Sequence, residues 1–377
     1  MSVEVGSISQ FQVEDAVRRL YSHVCRAHWN GQAIVGPDQG IRWHIRFWRF
    51  VKSYTPFIPW NERFLFIQAQ GDWVQCNWSL FEKYRDEHYK NVALSCTDYL
   101  LKIQLDDGSF EYPLRERKHL KATVEGNWGA IAFLESYRRT GAKKFLDAAS
   151  KWHGFLINKI GFQEYRGTLA INYFNQPRGN VPNNTAEVLW LLAEFYDITG
   201  DRNYLQYTDR MIEFLKQVQL PTGELPYVVE SPYEGRRDHY LCYQYNAFQF
   251  VKLVRYYDLT KNEKIFAVLR LLAEYLSTGI SKQGYCKVDC FRSFPQVYYY
   301  TAILAQALLK ADQIGLGPYD ALALGLYRHL LSRQLPNGGF IFSSRDYRVL
   351  SDRRSYPRNQ VMILDALLAL EEQQSGR

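Results

Sequence analysis

The sequence lacks most of the signals that would assign a chemistry at once. Its six cysteines (Cys25, Cys76, Cys96, Cys242, Cys286 and Cys290) show neither disulfide nor zinc spacing, and the Cys286/Cys290 pair has no close histidine. Lys and Arg are scattered, with no basic run, which argues against nucleic acid although the formal net charge is +7. No apolar stretch reaches membrane-spanning length, and the opening Met-Ser-Val-Glu-Val-Gly has no secretory pattern. The expectation is a cytoplasmic chain with reduced thiols and neither cofactor nor metal. A disordered tail is excluded as well, because 377 residues at 47% apolar and 23% charged describe a globular protein.

What is present in excess is aromatic: 28 Tyr, 22 Phe and 9 Trp exceed what a generic helical core needs. Bulky packing accounts for most of these rings, and the surplus points to an aromatic-lined cavity. A pI near 8.9 points to an acidic ligand or an anionic surface.

Internal periodicity sets the architecture. A Gln-Leu-x-x-Gly-x-Φ phrase recurs at Gln104–Phe110, Gln219–Leu225 and Gln334–Phe340, with degenerate forms at Ile160–Phe162 and Ser281–Tyr285. Consecutive glycines lie 53, 62, 61 and 54 residues apart, so the unit is roughly 57 residues. Each phrase ends an amphipathic run, and its glycine fits a helix C-terminal cap. Short turns at Arg139–Lys144, Ile198–Arg202, Leu259–Glu263 and Ile314–Pro318 alternate with these phrases. The unit reads helix, tight turn, helix, Gly turn, long connection. The expected fold is all-α, an α/α toroid (α/α-barrel) of about six helix-pair repeats with long loops at one end, over residues 66–377. Residues 1–65 read as an N-terminal helical extension or lid. Within it, 41–54 mixes Arg and Trp at helical spacing, as a lid or a peripheral membrane contact would.

The more apolar helices (Trp128–Tyr137, Thr185–Tyr196, Ala247–Tyr257, Thr301–Ala311, Val361–Leu370) are expected inside and the charged set outside. Every long connection then ends at an inner-helix N-terminus, so the polar residues of those connections form the expected site. Asn127, Asn184, Asn246 and Asn359 fall near helix starts, where Asn caps well. Asp289, between two cysteines and beside Tyr285 and Phe291, is the first candidate for a desolvated acid, or else pairs with Arg292. Glu125 caps its own helix or donates a proton, and Asp352 pairs with Arg353 or Arg354 or does the same; Asp238 completes the acids. Arg178, Arg236, Arg237, Arg292, Arg353, Arg354 and Arg358 suit an anionic ligand group.

The Gln-x-x-x-Gly-x-aromatic turns resemble the QW repeats of squalene and oxidosqualene cyclases, over about residues 66–372. The resemblance implies a single-domain class II terpene cyclase of the merosterolic acid synthase type, an isomerase that folds a polyprenyl chain carried on an aromatic acid. Where that family has its D-x-D-D-T-A acid motif, this chain has Val181-Pro-Asn-Asn-Thr-Ala186, with Asn183 and Asn184 in place of the last two aspartates. An amide cannot protonate an alkene, so the acid must be relocated to Asp289 or Glu125. No D-D-x-x-D run is present either. In that reading the arginine rim, with Arg178, Arg354 and Arg358, holds a carboxylate, and Trp128, Trp190, Tyr243, Tyr245, Tyr299 and Tyr300 line the cavity, their ring faces stabilising carbocations. The alternative is a uronate-acting enzyme (C5-epimerase, lyase or hydrolase) on a similar toroid. There Tyr245 or Tyr356, with Glu125 or Asp289, moves a proton beside a carboxylate neutralised by Arg, and Asn246 belongs to the polar collar. A non-catalytic glycan- or lipid-binding toroid is the third reading.

Overall fold

The computed structural model describes residues 8–38, 46–114 and 117–375. Ile41–Ile45 of the Arg-Trp segment lie outside the described residues. Two kinds of turn organise the helices, and they differ in mechanism. At the tight turns, Gly141 (φ 68°) and Gly200 (φ 72°) are left-handed helix C-caps whose N–H groups bond to Tyr137 and Tyr196 carbonyls. Gln104 and Gln219, by contrast, end their helices in extended conformation, and Gly108, Gly223 and Gly338 belong to the β-turns that follow. The C-cap role expected of the Gln-phrase glycines therefore fails, and the tight-turn glycines Gly141 and Gly200 fill it instead.

The described residues group into two compact units: Phe66–Tyr275 with Gly31–Ala33, and Met1–Asn30, Ile34–Leu65 and Leu276–Arg377. The first holds α3 (Ile67–Tyr84), α4 (Glu87–Ile103), α5 (Thr123–Thr140), α6 (Lys143–Phe155), α7 (Pro182–Thr199), α8 (Thr208–Val218), α9 (Cys242–Thr260) and most of α10 (Phe266–Ser277). Inner helices α3, α5, α7 and α9 pack in succession, and α4, α6 and α8 pack on the inner helices they follow. An inner helix is buried nearly all round: α7 is buried from Asn184 through Phe195, whereas α8 buries only one face.

The Gln phrase works as a staple between repeats. Gln104 Nε2 donates to the Gly108 carbonyl of its own turn and to the Ala148 carbonyl of α6, both at 2.9 Å. Gln219 does the same to Gly223 and, on α10, Val268. The turn glycines lie against the next outer helix so closely that a Cβ on Gly223 would sit 2.1 Å from the Leu271 carbonyl oxygen.

The second unit holds α1 (Gln10–Ala27), α2 (Arg46–Tyr54), α11 (Tyr298–Gln313), α12 (Asp320–Leu331) and α13 (Pro357–Ser375). Here α13 packs on both α1 and α11, and Gln334 staples its turn to the Ala16 carbonyl of α1. Helix α1 thus takes the place at the Gln334 turn that α6 and α10 take at the other two, so residues 10–27 are a repeat element within this unit.

Short strands border the helices: β1 (Phe162–Tyr165) pairs antiparallel with β2 (Thr168–Ile171), and β3 (Gln296–Val297), β4 (Ser343–Asp346) and β5 (Leu350–Asp352) form a small antiparallel sheet. The aromatic surplus goes mainly into the core, where Trp73, Trp78, Trp152, Tyr256, Tyr327, Phe133 and Phe195 are fully buried. No described helix is long and apolar enough to cross a membrane.

Candidate active site

The inner helices begin three to five residues earlier than the apolar periodicity predicts, at Thr123, Pro182 and Cys242. That shift puts Asn127, Asn184 and Asn246 inside the helices instead of at their caps, and none of the three caps a helix. Asn127 Oδ1 accepts from Trp152 Nε1 (2.9 Å), and Asn246 pairs with both backbone groups of Leu225 in the Gly223 turn. The caps themselves, Ala122, Val181 and Leu241, have no capping side chain.

Inside the Phe66–Tyr275 unit, one cluster of buried polar groups stands out, and most of it is absent from the residues expected. Glu187, 1% exposed, ion-pairs with Lys252, 5% exposed, across the α7–α9 contact. The two lie about one and about three turns into largely apolar helices, at spacings that align Asn183, Asn184, Glu187 and Trp190 on α7 and Tyr245, Gln249 and Lys252 on α9. Burial raises the Glu187 pKa, opposed by Lys252 and more weakly by the Asn127 amide. The Lys252 ammonium sits 5.8 Å from the Trp128 ring centroid, and Trp128 meets Trp190 edge-on at 5.3 Å.

Tyr173, in the connection after β2, feels the Tyr112 and Tyr227 phenols and the Glu125 and Glu187 carboxylates electrostatically. Burial, and then these neighbours, push its pKa well above 10. Its ring is part-exposed and stacks edge-on with Phe174 (4.5 Å), over which the Arg178 guanidinium lies at 5.7 Å. Tyr227 contacts Tyr240 (4.7 Å) and Tyr245 (5.2 Å). Glu125 does not cap its own helix: its Oε2 accepts from the first two backbone N–H groups of α3, at Ile67 (2.5 Å) and Gln68 (3.3 Å).

Several buried polar atoms of this cluster have no protein partner: Asn184 Oδ1 and Nδ2, Asn183 Oδ1, Trp128 Nε1 and Gln249 Oε1. Buried polar groups are nearly always hydrogen-bonded, and leaving one unmet costs about 1–3 kcal/mol. Such a belt calls for water or a ligand rich in hydroxyl groups. Below it, toward the tight turns, the ionic groups are mutually satisfied. Glu194 accepts from Arg138 (2.7 Å), Arg255 (2.9 Å) and Trp190 Nε1 (2.7 Å), and these bonds to cations hold its pKa low.

In the other unit, the expected site residues are engaged structurally. Asp289 Oδ1 accepts from the Phe291 and Arg292 N–H groups and Oδ2 from the Arg292 guanidinium, at 2.5–2.9 Å. Asp352 accepts from the Arg354 N–H and from the Tyr356 hydroxyl (2.8 Å). The Arg354 guanidinium is spent on the Lys52, Thr55 and Ile58 carbonyls, and Arg358 pairs with buried Asp38 at 2.9 Å. Tyr299 and Tyr300 meet at 4.6 Å, and Tyr299 leans on Phe342. In the Phe66–Tyr275 unit, Tyr243 stacks on Tyr275 at 4.9 Å, and Arg236 pairs with Asp238 at 2.6 Å. Arg178 makes no ion pair among the described residues.

No protein-family model matches the chain, and no curated protein does. Solved structures do. A cellobiose 2-epimerase from Bacillus thermoamylovorans B4167 superposes with a TM-score of 0.77 over 97% of this chain and 100% of its own, at 12% identity. The fold is an α/α toroid. A polysaccharide lyase (TM-score 0.69, 10% identity, 98% of this chain and 99% of that one) and a family 88 glycosyl hydrolase from Bacteroides vulgatus (0.67, 11%, 97% and 99%) share it.

These likenesses overturn the terpene-cyclase resemblance, and with it the isoprenoid substrate, the cyclisation and the lipophilic partner: the similar structures are named as epimerase, lyase and hydrolase of carbohydrates. The QW-like phrase is a backbone staple between outer helices, a demand of the toroid and not of any substrate. A hydrocarbon could not satisfy the unpaired polar belt around Asn184 and Glu187. The likenesses give no support to the membrane contact either; of α2, Phe50 and Tyr54 pack on Tyr347 while Phe47 and Trp48 stay exposed. Of the residues missed, Glu187 and Lys252 did leave a signal, since a Glu and a Lys inside apolar inner helices must be paired or functional, whereas Tyr173 left none.

Proposed function

We propose that this chain is a carbohydrate-active enzyme that moves a proton on an acidic sugar, with Glu187, Lys252 and Tyr173 as its chemical centre. The observation that carries the reading is the belt of buried, unpartnered polar atoms converging on a carboxyl of raised pKa. Sugar hydroxyls are both donors and acceptors and suit the mixed amide, indole and carboxylate set. The part-exposed rings of Tyr173, Tyr227 and Tyr245 offer the apolar faces on which sugar C–H surfaces pack. Arg178, beside Phe174 and without an ion pair, supports a carboxylate-bearing unit.

In this mechanism a cation neutralises the uronate carboxylate and so acidifies the adjacent C–H. Glu187, made more basic by burial, accepts that proton and Lys252 holds its carboxylate in place. Tyr173, kept protonated, donates the proton that completes the turnover, either to the carbon from the other face or to the leaving glycosidic oxygen. The test is incubation with glucuronate-containing oligosaccharides in D₂O. Deuterium at the carbon next to the carboxylate, or an unsaturated uronate product, is expected, and Glu187→Gln should abolish both. Folded protein that gives no exchange, elimination or cleavage across such a panel would sink the proposal.

A second reading, epimerisation of a neutral sugar, draws on the likeness to the cellobiose 2-epimerase. The charge-matched Glu187–Lys252 pair also fits it. Cellobiose in the same D₂O assay separates the two, since only the acidic substrate should depend on Arg178.

A further inference from the structure

The Gly223 turn and the loop that follows it bring together three donor side chains that play no part in the proton-transfer centre. Glu224, His239 and Cys242 place a carboxylate oxygen, an imidazole nitrogen and a thiol sulfur all within 4.8 Å of one another. We propose that they form a zinc-binding site of mixed O, N and S donors, which pins the loop carrying Tyr227 and Tyr240 to the start of α9.

The sequence concealed the site because the donors come from three kinds of local structure. Glu224 is fixed by the Gly223 turn, where Leu220 N–H bonds to the Glu224 carbonyl at 2.8 Å. From there the chain makes a hairpin, with Tyr227 N–H bonded to Asp238 and Val228 paired with Arg237, so that His239 returns beside Glu224. Leu241 then adopts a left-handed conformation (φ 47°), unusual for a branched side chain, and turns the chain into α9, whose first residue is Cys242. Glu224 and Cys242 are each 1% exposed, whereas the His239 side chain is 38% exposed and gives an ion a way in. His239 Nδ1 already lies 2.9 Å from Glu224 Oε2, so the two are preoriented toward one point.

Zinc bonds of about 2.0–2.3 Å in tetrahedral array set donors roughly 3.3–3.8 Å apart. The most widely spaced donors therefore need to close by about 1–1.5 Å at most, and the 2.9 Å His239–Glu224 pair to open by about 0.4 Å. A thiolate, an imidazole and a carboxylate together suit a borderline-soft ion such as Zn²⁺, and not Ca²⁺ or Mg²⁺, which take oxygen shells.

The full-length chain, stripped with a chelator and titrated with ZnCl₂, tests this. One equivalent should bind, and CoCl₂ in its place should give a thiolate charge-transfer band. His239→Ala and Cys242→Ser, each checked for native circular dichroism, should lower zinc affinity at least about 100-fold, since even outer-shell substitutions cost 10–100-fold. Saturating zinc should also protect the 226–241 loop from limited proteolysis in the parent chain and not in the variants. Zinc bound equally by parent and His239→Ala/Cys242→Ser double variant, or no zinc and no cobalt band in the parent, overturns the assignment. Where a single variant fails to fold, Glu224→Gln, which keeps the shape and removes the charge, gives the same reading.

Discussion

Replacing Lys252 by Met would leave the Glu187 carboxylate buried and without its cation. Both groups lie almost wholly inside the protein, at 1% and 5% exposure. Breaking such a pair from one side costs about 3–5 kcal/mol, while replacing both partners is often neutral or better. Lys252→Met should therefore lose about 3–5 kcal/mol in urea unfolding at pH 7, and Glu187→Gln/Lys252→Met should recover most of it. The pH dependence follows from sign. Burial already raises the Glu187 pKa, and loss of Lys252, which lowers it, raises it further. A carboxyl whose folded pKa exceeds the unfolded value near 4.5 costs stability as pH rises through that interval, because the unfolded chain gives up its proton first. The single variant should thus be most destabilised at pH 7 and improve steadily toward pH 5, whereas the double variant should show no such slope. A Lys252→Met loss under about 1 kcal/mol, flat with pH, would mean that the pair is solvated and that Glu187 is not a desolvated base.

Other consequences are equally direct. Gly223→Ala forces a β-carbon into a backbone with φ 90° and to 2.1 Å from the Leu271 carbonyl, so thermal unfolding should report a loss of at least about 2 kcal/mol; a change under 0.5 kcal/mol would contradict the staple geometry. Gln219→Ala removes one hydrogen bond within its own turn and one that bridges repeats, and should cost about 1–3 kcal/mol with the far-ultraviolet spectrum unchanged. Burial and neighbouring cations depress the His28 pKa to about 4, so the folded chain resists its protonation. Stability should fall as pH drops from about 6.5 to 4, by up to roughly 3 kcal/mol, and His28→Gln should flatten that window in pH-dependent denaturant titrations. Glu187→Gln should cut turnover by two orders of magnitude or more while Asp289→Asn, whose carboxylate serves its own turn, should retain most of it; the reverse ranking would return Asp289 to the centre.

The primary structure by itself determined the helix-pair repeat, and for a physical reason. A toroid repeats one local problem, ending an outer helix and docking its turn on the next, and the same side chains solve it each time. Gln104, Gln219 and Gln334 are visible as a pattern because each bridges its own turn to a neighbouring helix. Apolar runs likewise marked the inner helices, though they missed the polar first turns, since Asn127, Asn184 and Asn246 read as caps until the backbone placed them within the helices. The site was only partly legible. Of the proposed site, Trp128, Asn183, Asn184, Trp190 and Tyr245 were candidates from their position near inner-helix starts, but Glu187 and Lys252 are 65 residues apart and meet only across the α7–α9 contact. Tyr173 looks like any loop tyrosine until folding buries it and exposes it to the charges of Glu125 and Glu187. The arginines show the converse: Arg354 and Arg358 have the composition of an anion-binding rim, and tertiary structure commits them to carbonyls and to Asp38. Local sequence fixes what each segment must bury or turn. Which charge meets which, and whether water reaches them, is decided only when segments distant in the chain are packed side by side.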